Sequence, residues 1–263
     1  RFLDFGMGLR SVTVGYGNEE VNAAAIEAIN FGNNLTRASM IELEADEKFC
    51  SLIDSVDMVK FCKNGSNAVT AAIKLARAFT GKSQILKCSQ RPFFSFDDWF
   101  IATTPMSKGC EENAASDILE FNYSSLSDID KLLSKNPNNI AALIMEPMID
   151  ICPQNGSKNC CGKLHCAKRQ NLLTDIQYLC HRYGVLFILD ETITGFRYHQ
   201  KGAQYLFGVK PDLSIFGKGM ANGFSVACVS GSREVMELGG IRKKGLERLF
   251  LLSSTHGAEM SSL

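Results

Sequence analysis

The apolar residues of this chain alternate between two rhythms. Short unbroken runs, rich in β-branched and aromatic types, read as buried parallel strands. They are Gln84-Ile-Leu-Lys-Cys88, Ile140-Ala-Ala-Leu-Ile-Met-Glu146, Gly184-Val-Leu-Phe-Ile-Leu-Asp190, Pro211-Asp-Leu-Ser-Ile-Phe-Gly-Lys218 and Phe224-Ser-Val-Ala-Cys-Val-Ser-Gly231. Pro147 forces the end of the second run. Between these runs the spacing turns helical. Val21, Ala25 and Ile29 mark a helix over 19–31, and further helices are expected over 39–54, 67–79, 125–135, 168–182 and 232–238. The 67–79 segment is alanine-rich, and Gly81 closes it. Residues 89–115 read as loop. The opening residues 1–6 read as a strand, and Leu249-Phe-Leu-Leu as another apolar run. Strands alternating with helices predict an α/β fold with a mostly parallel sheet flanked by helices.

Composition narrows the class. The chain has 263 residues, of which 45% are hydrophobic and 21% charged, enough for a sizeable core. Lys+Arg 28 balances Asp+Glu 28, with no basic block. Nucleic acid and an anionic membrane surface are therefore not expected partners. No apolar run is long enough to span a bilayer. Cys50, Cys62, Cys88, Cys180 and Cys228 sit singly in apolar or helical contexts. That pattern suits buried thiols in a reducing compartment, the cytoplasm. Arg1 stands where a start methionine would, and both ends look cut through structure, so the chain is read as a fragment.

Chemistry gathers at the ends of the runs. Asp190 and Lys218 each terminate an apolar strand, where open α/β sheets bind their ligands. A buried carboxylate and a buried amine are costly unless a partner meets them. Pyridoxal phosphate (PLP) offers an aldehyde to the lysine and a ring nitrogen to the aspartate. Asn64-Gly-Ser-Asn-Ala68 precedes the alanine-rich helix. Gly65 and Ser66 there present free N–H groups and a hydroxyl, which suit a phosphate or serve as a plain cap. Phe93-Phe-Ser-Phe-Asp-Asp-Trp-Phe100 is a dense aromatic cluster that reads first as core. Glu146-Pro147 ends its strand, and Ser253-Ser-Thr-His-Gly257 again combines hydroxyls with a glycine.

In this order the pieces resemble the class III (subgroup II) PLP-dependent aminotransferases, nearest to the glutamate-1-semialdehyde 2,1-aminomutase-like group. The most specific stretch is Leu189-Asp-Glu-Thr-Ile-Thr-Gly-Phe-Arg197, followed by Phe207-Gly-Val-Lys-Pro-Asp-Leu213, Gly217-Lys218 and Asn222-Gly223. The resemblance covers essentially the whole chain. It implies the fold-type I large domain over 36–263, with 1–35 as an N-terminal segment belonging partly to the small domain, and the C-terminal small domain absent. It also implies roles. Lys218 would carry the cofactor as a Schiff base and shuttle a proton, and Asp190 would keep the pyridine nitrogen protonated. Gly65 and Ser66 would hold the phosphate. Phe93 and Thr192 would contact the two ring faces. Thr255 would reach the phosphate of the neighbouring subunit's cofactor in a homodimer. The implied substrate is a small amine or oxo compound, and no metal is required.

Three departures stand out. The family's Ser-Gly-Thr-Glu-Ala reads Asn64-Gly-Ser-Asn-Ala68, its Tyr-His-Gly reads Phe93-Phe94-Ser95, and Thr192 replaces a more apolar residue. They cluster on the substrate side, leaving a sugar or another secondary metabolite as an alternative substrate. A catalytically silent homologue is a second alternative, opposed by the retention of both Asp190 and Lys218. A Walker-type ATPase fails because Asp212 and Gly219 occupy the glycine and Ser/Thr positions around Gly217-Lys218. The Gly-x-Gly-x3-Gly of 217–223 is a weak dinucleotide match. Cys152, Cys160, Cys161, His165 and Cys166 crowd soft ligands together, but their spacing fits no known zinc module, so a thiol-rich loop is the simpler reading. Arg10 and Arg37 are candidates for a substrate carboxylate or plain surface charges. His256 is as well explained by packing as by catalysis, and Trp99 reads as core.

Overall fold

The computed structural model describes residues 2–90, 93–149, 171–240, 247, 249 and 255–263. The Cys152–Cys166 stretch and the 250–254 run lie outside the described residues. A seven-stranded sheet forms in the order β1-β7-β6-β5-β4-β2-β3. Its strands are β1 (Met58–Cys62), β2 (Gln84–Cys88), β3 (Ile118–Phe121), β4 (Ile140–Met145), β5 (Leu186–Asp190), β6 (Leu213–Phe216) and β7 (Ala227–Gly231). From β3 through β6 neighbouring strands pair in parallel, and only β7 runs against its neighbours β6 and β1. Two reversals restore the direction of β1, so β1, β4, β5 and β6 all end at the same edge. The sheet is mostly parallel, as expected.

Helices cover both faces. A short turn, α1 (Met7–Arg10), opens the chain, followed by α2 (Glu19–Phe31) and α3 (Met40–Leu52). The long α4 (Gly65–Thr80) and the short α5 (Asp98–Ile101) come next. Then come α6 (Leu126–Lys135), α7 (Leu172–Arg182), α8 (Gly202–Phe207) and α9 (Arg233–Met236). Alternation along each strand decides which layer a residue joins. Ile85, Ile144, Ile188 and Ile215 face α4, which buries Ala68, Val69, Ala72, Ile73, Leu75 and Ala76 against them. Small alanines let this helix lie close to the sheet. Each fully buried Val, Ile or Leu there contributes about 1.5–3 kcal/mol. Leu86, Leu143, Phe187 and Leu189 face the other way, toward α6, α7 and α8. On that side Phe49 of α3 meets Phe216 edge-on at 5.1 Å.

Several sequence expectations need correction. β1 and β3 were not visible as strands. Both are short edge strands with half-exposed residues, so neither shows an unbroken apolar run. The short α5 falls inside the 89–115 segment read as loop, and α8 in a stretch to which no element was assigned. Residues 2–6 form no strand. Phe2, Leu3 and Phe5 are fully or nearly exposed, and the Asp4 carboxylate bends the chain by accepting from Gly6 N and Gly8 N, both at 2.9 Å. α2 forms where predicted, but its buried face is Ala25 and Ala28, whereas Ile29 is half exposed. No described helix is long and apolar enough to cross a membrane.

Candidate active site

The carboxyl edge of the sheet brings together residues that lie far apart in sequence. Asp190 is the last residue of β5, aligned with Ile215 of β6. β6 ends at Phe216, and Gly217-Lys218 follow directly. On the other side, β4 runs parallel to β5 with Met145 opposite Leu189, which sets Glu146 beside Asp190. β1 ends at Cys62, and α4 begins at Gly65 on the same edge. Its N-cap, Asn64, accepts from Asn67 N at 3.0 Å, leaving the N–H groups of Gly65 and Ser66 without an intrahelical bond.

Thr192 joins these parts. A Cβ added at Gly65 or at Gly217 would lie 3.4 Å from the Thr192 methyl group. Thr192 therefore lies at van der Waals range of both glycines, which brings the three segments together. Thr192 N donates to Asp190 Oδ1 at 2.8 Å. The Thr192 hydroxyl is buried with no partner in hydrogen-bond geometry among the described residues. Its dipole still helps hold the Asp190 carboxylate down.

Electrostatics sharpen the picture. Asp190 is 4% exposed, and burial raises its pKa, while Thr192 and the Lys218 charge oppose that rise. Lys218 is shifted down, chiefly by burial. Asp190 and Glu146 pull it back up, and the cations Arg10 and Arg197 push it down again. A depressed lysine carries more of the free amine, the form that attacks a carbonyl carbon. Lys218 also takes a left-handed φ of 45°, a strained placement for a residue with a side chain. Glu146 is raised to about 7, first by burial and then by its neighbour Asp190.

The aromatic loop docks on the first turns of α4. Ser66 Oγ accepts from Phe96 N at 3.1 Å, so its own proton stays available. The Thr70 hydroxyl donates to Asp97, and Trp99 Nε1 donates to Thr70 Oγ1 at 3.2 Å. Phe94 and Phe100 are buried, as a core reading requires, but Phe93 is 60% exposed and rests edge-on against Phe100 at 5.6 Å. The cluster is therefore half core and half open surface. Thr255 is exposed and makes no hydrogen bond with the other candidates among the described residues. The segment that carries it is tied nearby, because Glu259 pairs with Lys63 and accepts from or shares a proton with His256 at 2.8 Å. His256 is thus occupied in a local contact. Arg37 is exposed and is not among the charges that act on Lys218.

Sequence reasoning missed the support behind Asp190. Glu191 is fully buried and accepts from Ala203 N at 2.6 Å, Gln204 N at 2.9 Å and Thr194 Oγ1 at 3.1 Å. It ties the start of α8 to the end of β5. The signal was available: a second acid directly after the first, at the end of a buried strand.

These residues fit PLP. The buried Asp190 carboxylate needs a cationic or N–H partner, which a protonated ring nitrogen supplies. The α4 N-terminus offers free N–H groups and the Ser66 hydroxyl to a phosphate.

Residues 1–261 match the model of the aminotransferase class-III family. A glutamate-1-semialdehyde 2,1-aminomutase 2 from Lachnoclostridium phytofermentans is 30% identical over 251 residues, 90% of this chain and 55% of its own length. A 3-aminobutyryl-CoA aminotransferase from Cloacimonas acidaminovorans is 32% identical over 238 residues, 90% of this chain and 54% of its own. Among solved structures, one described as a transaminase with PLP bound superposes with a TM-score of 0.83 at 20% identity, covering 98% of this chain and 59% of that one. The chain thus spans little more than half the length of the curated relatives it matches.

Proposed function

Because the chain belongs to the class-III aminotransferases, whose cofactor is PLP, we propose that it is the cofactor-holding part of an enzyme that moves an amino group between small amine and carbonyl compounds. A functional model is a glutamate-1-semialdehyde 2,1-aminomutase, to which the chain is 30% identical. When bound, PLP supplies an electrophilic carbon and a conjugated ring that accepts the electron pair left as a proton departs. The chain's own residues do the rest. Lys218 Nζ would hold the cofactor through its aldehyde and, once freed by the incoming amine, would carry a proton between the substrate and the cofactor. Asp190 holds a proton on the ring nitrogen. Gly65 and Ser66 grip the phosphate, and Thr192 and Phe93 border the ring. In a homodimer, Thr255 would reach the phosphate held by the neighbouring subunit. Domain boundaries follow the same reading, with the large domain over 36–263.

The observation that carries the proposal is the pairing of a buried Asp190 with a depressed Lys218 on adjacent strand ends. Free, buried thiols such as Cys62 and Cys88, both pushed up to about 12 by burial, support a reducing, cytoplasmic setting. The test is a titration of the complete protein with PLP, followed by visible absorption, beside Lys218→Ala. The proposal expects a lysine-dependent band. A folded wild type with no band would favour the silent homologue instead.

A further inference from the structure

We propose that Thr70 is a positioning residue for the phosphate site. It holds the aromatic loop so that Phe96 N stays on Ser66 Oγ, which leaves the Ser66 proton for the phosphate. The proposal rests on the functional reading above. Ser66 and Thr70 lie four residues apart in α4 and so share one face of the helix. Both hydroxyls meet the same short segment. Ser66 Oγ accepts from Phe96 N at 3.1 Å. Thr70 Oγ1 accepts from Trp99 Nε1 at 3.2 Å and donates its own proton to Asp97 Oδ2. Ser95, fully buried, fills the gap between them. Its Oγ accepts from Asp97 N at 3.1 Å and lies 3.4 Å from Thr70 Oγ1. The loop is thereby fixed to one helix face through the Phe96 N–H, the Asp97 carboxylate and the Trp99 indole.

Two side chains show that this contact is specific. Asp97 stands at the N-cap of α5, where an aspartate ordinarily accepts from its own helix. Its carboxylate makes no such bond and takes the Thr70 proton instead. A threonine within a helix commonly returns its proton to the carbonyl one turn back. Thr80, at the end of α4, does so, donating to Ala76 O at 2.8 Å. Thr70 sends its proton out of the helix, to the loop.

The consequence falls on Ser66. A hydroxyl has one proton to donate. Phe96 N occupies a lone pair of Ser66 Oγ, so that proton is left for a group outside the loop. The N–H groups of Gly65 and Ser66 are free beside it, and the three donors together suit a phosphate. Phe96 is 59% exposed, so packing of its own ring does little to hold its N–H in place. The hydrogen bonds of Ser95, Asp97 and Trp99 do that, and Thr70 is where they converge.

The test uses the complete protein freed of cofactor. It is titrated with PLP and with pyridoxal, which lacks the phosphate, and binding is read from the visible band. Thermal midpoints without cofactor show that each variant is folded. The wild type is expected to prefer PLP. Thr70→Val is expected to weaken PLP about threefold to tenfold and to leave pyridoxal unchanged, while Thr70→Ser restores PLP binding. Asp97→Ala, a change in the loop, is expected to show the same selective loss should Thr70→Val not fold. In a Ser66→Ala background, Thr70→Val is expected to cost nothing further, because both act through one hydroxyl. Equal loss of PLP and pyridoxal would overturn the proposal, as would additive losses in the double variant, no rescue by Thr70→Ser, or unchanged PLP binding in Thr70→Val. A folded wild type with no lysine-dependent band for either ligand would instead sink the cofactor reading itself.

Discussion

At the scale of single residues, four carboxyl and amine groups on neighbouring strand ends define the site, and each has a distinct physical situation. Asp190 needs a cationic partner because it is buried. Asp190→Asn keeps the shape but cannot hold a proton on the ring nitrogen by charge. Its catalytic rate is expected to fall by about a hundredfold or more, measured by single turnover with an amine donor. Glu146 makes a prediction about pH. Its folded value of about 7 lies above the ordinary 4.5, so between these values the folded chain binds more protons than the unfolded one. Glu146 therefore subtracts stability as the pH rises through that window. Urea midpoints measured at about pH 5 and about pH 8 should show a smaller decline for Glu146→Gln than for the wild type. Glu191 differs because both its oxygens accept backbone N–H groups. Burial pushes it up to about 7, while these donors hold it down. In Glu191→Gln, either orientation of the amide sets an NH2 against a donor. A loss of about 1–3 kcal/mol in urea unfolding is expected.

At the scale of elements, the glycine at 195 shows how closely the site is built. A Cβ there would fall 2.4 Å from the Phe216 ring and 2.8 Å from Glu191 O. Neither the ring, wedged against Phe49, nor the backbone can yield easily. Gly195→Ala is expected to cost about 1–3 kcal/mol or more and to weaken PLP binding in parallel, read by thermal unfolding and fluorescence titration. The same scale shows what sequence can and cannot reveal. The five unbroken apolar runs became β2, β4, β5, β6 and β7, because a strand covered on both faces has no polar alternation to confuse the pattern. The edge strands β1 and β3 escaped notice because half-exposed residues dilute that signal. Asp190 and Lys218 were legible because each charge ends such a run. Glu191's anchoring of α8, Arg197's hydrogen bond to the Arg10 carbonyl and Asn222's bonds to residues 14–15 were not. They depend on which loops the fold brings together, and local spacing carries no trace of that.

At the scale of the whole molecule, every strand but β7 places its carboxyl end along one edge, together with the N-terminus of α4. The site is a consequence of that topology. The opposite property appears at the chain's first third, where Phe2, Leu3, Phe5, Ile26, Phe31 and Met40 are more than half exposed. A soluble protein seldom leaves so many large apolar side chains uncovered. In the complete protein, light scattering is expected to give twice the mass of one chain. The central claim, however, is that one lysine holds the cofactor. The most direct measurement is borohydride reduction of the PLP-loaded protein, followed by peptide mass mapping. The account predicts the added cofactor mass on Lys218, and none on Lys87, the lysine buried to 5% exposure beside Glu120. Cofactor mass on Lys87 or elsewhere, with Lys218 unmodified, would contradict it.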